Sequence, residues 1–189
     1  MLGFLSIEKK NVLWTKADGE AYLTMAAVGI IAGIVVAYAQ TPLHWPGHKA
    51  VFWLAPVLAS RILTRARAGA TVGASATITT TLLLGGRLAG GIAMTPLVIL
   101  GGFLLDLAVL QSYRRHASLV KVALILSAAT AANLICLIKR LFEPVGSYFS
   151  AANLHDLLNT AASYALFGFL AGLLGLAAAS GIRLFWKRQ

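Results

Sequence analysis

Cysteine and acidic side chains are what this chain has least of. Its single cysteine, Cys136, lies in an apolar stretch, which excludes a disulfide framework and a cysteine-based metal site. Six Asp and Glu stand against 16 Lys and Arg, and charged residues make up only 12% of the chain, too few to solvate an ordinary soluble surface. Also missing are Gly-x-Ser-x-Gly, His-Glu-x-x-His and the phosphate-cradling Gly-x-x-x-x-Gly-Lys, the short arrangements that would mark hydrolysis or nucleotide chemistry. No enzyme activity and no cofactor is expected, and an ATP-driven step would have to come from another subunit.

What is present is apolar. Hydrophobic residues are 59% of the chain and the mean hydropathy is +0.80, which predicts an integral membrane protein. Six apolar segments stand out, at about 21–39, 50–64, 68–84, 90–111, 119–141 and 157–185. Their lengths suit helices, which satisfy every backbone polar group internally in lipid. The second is short for a bilayer that needs roughly 20 residues per helix, and Pro56 sits inside it. Residues 1–20 mix Leu2, Phe4, Leu5, Ile7, Leu13 and Trp14 with lysines, which predicts a segment lying at the membrane interface. The Ala37-Tyr38-Ala39 end of the first segment has the form of a signal cleavage site; with Met1 at the head of the chain, the segment is expected to stay as span one. Only the loop from Phe142 to Asp156 is long, so a single six-helix membrane domain covering 1–189 is expected.

The basic residues orient it. Lys9, Lys10 and Lys16 precede the first span, Arg61, Arg65 and Arg67 lie between the second and third, Arg114, Arg115 and Lys121 between the fourth and fifth, and Arg183, Lys187 and Arg188 at and beyond the end of the sixth. The other side has Lys49, Arg87, Lys139 and Arg140. Cytoplasmic loops carry the excess of Lys and Arg, so both termini are predicted in the cytoplasm; five or seven spans would break the pattern. The net charge of +10 is therefore spread over juxtamembrane loops, where it meets membrane lipid, and no nucleic acid partner is expected.

Small residues four apart mark helix contacts in lipid. Gly29, Gly33 and Ala37 form such a stripe on span one, Gly69, Gly73, Thr77, Thr81 and Gly85 on span three, and Gly168 and Gly172 on span six. Internal packing is the expectation for the latter two. Span one could equally receive a helix of a partner protein.

Sorted by leaflet, the polar side chains crowd the outer end. His44, Trp45, His48 and Lys49 lie in the first outer loop, Thr79 to Thr81 at the end of span three, then Arg87 and Thr95, Asn133 in span five, and Asn153, His155, Asp156 and Asn159 at the last outer loop. Polar groups at this depth need a cavity or one another, so an outward pocket is expected, with His44, Trp45, His48, Thr80, Arg87, Asn133, His155 and Asn159 as candidate substrate-binding residues. Trp45 could stack on a flat ligand. An ordinary wet loop region is the alternative, and His44, His48 and His155, with Asp156, are the candidates should a metal or haem be held there. Asp106 is the one acidic residue within a span and needs a partner; Arg114 or Arg115, reaching back, would supply a structural ion pair, with proton handling as the other reading. Arg61 is expected to snorkel to the interface.

This pattern resembles the substrate-capture subunits, or S components, of energy-coupling factor transporters. The likeness rests on chain length, six spans with both ends inside, the Gly29/Gly33/Ala37 stripe, and the run from His44-Trp-Pro-Gly-His48 through Arg61, Gly69 and Gly73 to Gly101-Gly-Phe-Leu-Leu-Asp106-Leu. It implies a protein of the prokaryotic cytoplasmic membrane that takes a vitamin or similar micronutrient from outside. It also implies docking by the span-one stripe onto a transmembrane coupling subunit that carries two cytosolic ATPases. Nickel- and cobalt-binding members of the wider class have a histidine directly after the initiator methionine; Met1-Leu2-Gly3 departs from that. A structural subunit of a larger membrane complex is the competing expectation.

Overall fold

The computed structural model describes residues 16–39, 45–64, 66–85, 91–138 and 151–186. Among them are six α-helices and no strand: α1 (Lys16–Tyr38), α2 (Ala50–Thr64), α3 (Gly69–Leu83), α4 (Thr95–Tyr113), α5 (Ser118–Ile135) and α6 (Ala151–Trp186), with a 3-10 turn at Gly91–Met94 leading into α4. Four of them, α1, α4, α5 and α6, are long and apolar enough to cross a membrane. At 1.5 Å per residue the 15-residue α2 and α3 reach only about 22 Å, short of a hydrocarbon core of roughly 30 Å. They are instead the most enclosed helices, with Trp53, Leu54, Val57 and Leu58 of α2 and Ala70, Ala74 and Ile78 of α3 in the core.

The helices close into a ring in the order α1, α3, α4, α5, α6, α2, each touching the next and α2 returning to α1, while α2 also leans on α3 and α4. Hydrogen bonds show which ends lie together. Ala68 at the start of α3 lies 3.4 Å from the Tyr22 hydroxyl near the start of α1, and Arg183 near the end of α6 donates to the Ile62 carbonyl near the end of α2 at 2.6 Å. This is the charge-rich end. At the opposite end the turn before α2 meets the end of α5 and the first half of α6.

Small residues set the distances between helices. A Cβ on Gly29 would fall 2.3 Å from the Gly73 carbonyl oxygen, and one on Gly33 2.6 Å from that of Thr77, so α1 and α3 touch backbone to backbone. Gly102 does the same for α4 against Ala70 of α3, and Gly168 for α6 against Thr130 of α5. Serine and threonine hydroxyls that would be stranded in an apolar interior donate to the carbonyl one turn back, as Thr77 does to Gly73 at 2.8 Å and Thr130 to Leu126 at 2.9 Å, a common way to hide them. The outward surface is correspondingly apolar, with Leu23, Ile31, Leu119 and Phe185 exposed.

Four sequence expectations change here. The Gly29/Gly33 stripe is filled by α3 of the same chain, leaving no room for a partner helix on that face; Ala37, half-buried, ends the row. The small-residue register of α3 stops at Thr81, because Gly85 lies past the helix end with φ +67°. Residues 151–156, expected in a loop, already belong to α6, and α1 begins at Lys16, within the stretch read as interfacial.

Candidate functional site

Two polar centres stand out, one towards each end of the ring. At the charge-poor end the turn from Trp45 to Lys49 is fastened from several sides. Gly47 takes φ +85°, a left-handed conformation that favours glycine. A Cβ there would also come 3.0 Å from the Tyr164 backbone. Ser163 donates to the Pro46 carbonyl at 2.7 Å. His48 Nδ1 donates to the Trp45 carbonyl at 2.5 Å and closes the turn on itself. Asn133, buried on α5, donates to the Tyr164 carbonyl at 2.7 Å and lies 3.4 Å from that of Gly47. Trp45 and His48 both stand edge-on to Phe167, with ring centroids 6.3 Å away. Trp45 nonetheless keeps 56% of its surface exposed.

The candidate substrate residues thus separate. Trp45 and His48 come together on Phe167. Asn133 sits beneath them as a clamp, its amide nitrogen committed to the backbone carbonyls of Tyr164 and Gly47. His155 and Asn159 are exposed on α6 and paired with each other at 3.1 Å. They share the stripe His155–Asn159–Ser163–Phe167, four residues per step, but His155 is about 18 Å along the axis from Phe167. Thr80 faces Gly33 and lines a shallow lateral groove of about 530 Å³ between α1 and α3 with Ile30, Thr71, Ser75 and Thr79. His44 and Arg87 lie outside the described residues. Among the described residues no three of His, Cys, Asp and Glu gather as metal ligands.

Towards the charge-rich end lies the more heavily bonded centre. Asp106 on α4, 3% exposed, meets the fully buried Arg61 of α2, Nε to Oδ1 at 2.5 Å. The carboxylate also accepts from the backbone N–H of Ala70 at 3.0 Å and of Thr71 at 2.8 Å, and from the Thr71 hydroxyl at 2.8 Å. Ala68, at the N-cap of α3, has no side chain to offer. Asp106 caps that helix from a neighbour, where the helix dipole favours a negative charge. Arg61 Nη2 donates to the Arg67 carbonyl at 3.2 Å, and its Nη1 has no hydrogen-bond partner among the described residues. Arg61 therefore does not snorkel, and it takes the place expected of Arg114 or Arg115, both exposed. Such a carboxylate, tied by four donors across three helices, serves as a structural knot.

Sequence reasoning missed Ser163, Tyr164 and Phe167 because each reads as an ordinary residue of an apolar span. The ion pair had a readable signal: Arg61 and Asp106 are opposite charges set within the second and fourth spans at similar depth from the basic end. Compared with known protein families, curated proteins and solved structures, the chain matches none.

Proposed function

We propose that this chain is the membrane-embedded substrate-binding subunit of an ATP-driven importer of the energy-coupling factor type. It captures a small vitamin-like molecule at the outer face and passes it on through a coupling subunit served by cytosolic ATPases. The proposal includes six spans, both termini in the cytoplasm and residence in a prokaryotic cytoplasmic membrane, which the distribution of Lys and Arg supports. One observation carries the ligand-binding part: an exposed indole, Trp45, held on a turn that Asn133, Ser163 and His48 immobilise. A rigid aromatic surface costs little conformational entropy when a flat ligand stacks on it.

The test is to purify the protein gently and identify any small molecule retained by mass spectrometry, then compare Trp45→Ala and Phe167→Ala with the parent. Loss of one stacking contact, of order 1–1.5 kcal/mol, lowers retention about ten-fold. No retained molecule, together with no binding of any vitamin offered, would end this reading.

A second reading, a structural subunit of a larger complex, draws on the groove between α1 and α3. Thr71, Ser75, Thr79 and Thr80 line it on an otherwise apolar exterior, and small and hydroxylated residues let a helix approach closely in lipid. On that reading Ser75→Leu releases a copurifying partner while Trp45→Ala changes nothing.

A further inference from the structure

At the charge-rich end, the end of α2, the end of α4, the start of α5 and the last part of α6 surround a cavity of about 150 Å³. Two of its polar groups lack partners. Lys121, only 7% exposed, lines it, and its ammonium makes no hydrogen bond or ion pair among the described residues. The buried Tyr113 hydroxyl has none either. Arg183 adds a second cation at the wall, already anchored on the Ile62 carbonyl. Leaving a buried hydroxyl unsatisfied beside a cation with so little of its side chain in solvent is costly, and one occupant serves both: an oxyanion accepting from Nζ of Lys121 and Oη of Tyr113. The remaining wall is mostly apolar, with Val109, Ile125 and Leu176, and includes Ser118 and the hydroxyls of Ser112 and Ser180, which donate back to carbonyls of their own helices.

We infer that this cavity is a binding site for a phosphate group, of the kind that basic pockets between membrane helices offer to anionic lipid headgroups. The apolar wall suits the glycerol and upper acyl region of a phospholipid. The site is separate from the Trp45 turn and does not depend on the transport proposal.

The purified protein, in a non-ionic detergent, is titrated with phosphatidylglycerol or with phosphatidylcholine of the same acyl chains and read by native mass spectrometry. A separate arm adds inorganic phosphate and reads thermal stability. The expected result is preferential phosphatidylglycerol adducts, weakened about ten-fold by Lys121→Gln and about three-fold by Tyr113→Phe, as loss of a charge-assisted and of a neutral hydrogen bond implies. Lys121→Arg keeps the adducts. Protection by inorganic phosphate without lipid adducts supports the site and assigns it a free anion. The inference is overturned if neither probe binds, if both lipids bind alike, or if Lys121→Gln binds phosphatidylglycerol within two-fold of the parent. Tyr113→Phe removes a single oxygen and keeps the ring, so its response remains readable should the lysine variant fold poorly.

Discussion

Arg61 and Asp106, 45 residues apart in sequence, form an ion pair at 2.5 Å between α2 and α4, and the same carboxylate caps α3. Three helices of the ring are tied through one pair of oxygens. Removing one member of a buried pair strands the other charge, at a cost of about 3–5 kcal/mol. Asp106→Leu is expected to be the worse single change, because it also uncaps α3, and Arg61→Met the milder. In a double-mutant cycle, unfolding in detergent should show the double variant losing less than the sum of the two singles. Strict additivity would mean that the two side chains do not depend on each other.

Gly29 and Gly33 make a prediction that separates internal packing from partner docking. With α3 backbone 2.3 Å from where a Gly29 Cβ would lie, Gly29→Val must push α1 away, and overpacking of this kind costs about 1–3 kcal/mol. The unfolding temperature of the isolated protein should fall, whereas Ile31→Val, on the exposed side of the same helix, should leave it unchanged. A Gly29→Val protein as stable as the parent would contradict the packing described.

Orientation is open to chemical labelling. Cys136 is buried, so a Cys136→Ala background leaves no competing thiol. Trp45 and His116 are exposed at opposite ends of the ring. In intact cells a membrane-impermeant maleimide should label Trp45→Cys and spare His116→Cys until the membrane is opened. The reverse pattern would invert the proposed topology and with it the outward placement of the Trp45 turn.

How much of this was legible beforehand follows from the kind of signal each feature leaves. The limits of α2 are readable to the residue, Ala50 to Thr64, since a run of apolar side chains ends abruptly at a turn on one side and at Arg65 and Arg67 on the other. The crowding of polar residues at one end is readable too, yet their roles are not. Asn133 and Trp45 both look like ligand contacts in sequence, and only the fold makes one a clamp and the other an exposed face. The difference is whether the polar atoms meet backbone carbonyls, and those carbonyls, of Gly47 and Tyr164, come from segments 86 and 31 residues away.

The sequence by itself determined the helical class, because backbone polar groups in an apolar chain have few other ways to be satisfied, and it determined where charge collects along the chain. The tertiary structure decided which helices are neighbours and hence what each stripe and charge is for. Small residues on α1 carry no label saying whose backbone they will meet, and Asp106 none naming its cation. Both depend on the ring order of the helices, which is set by many weak contacts at once, and no local stretch of sequence encodes it.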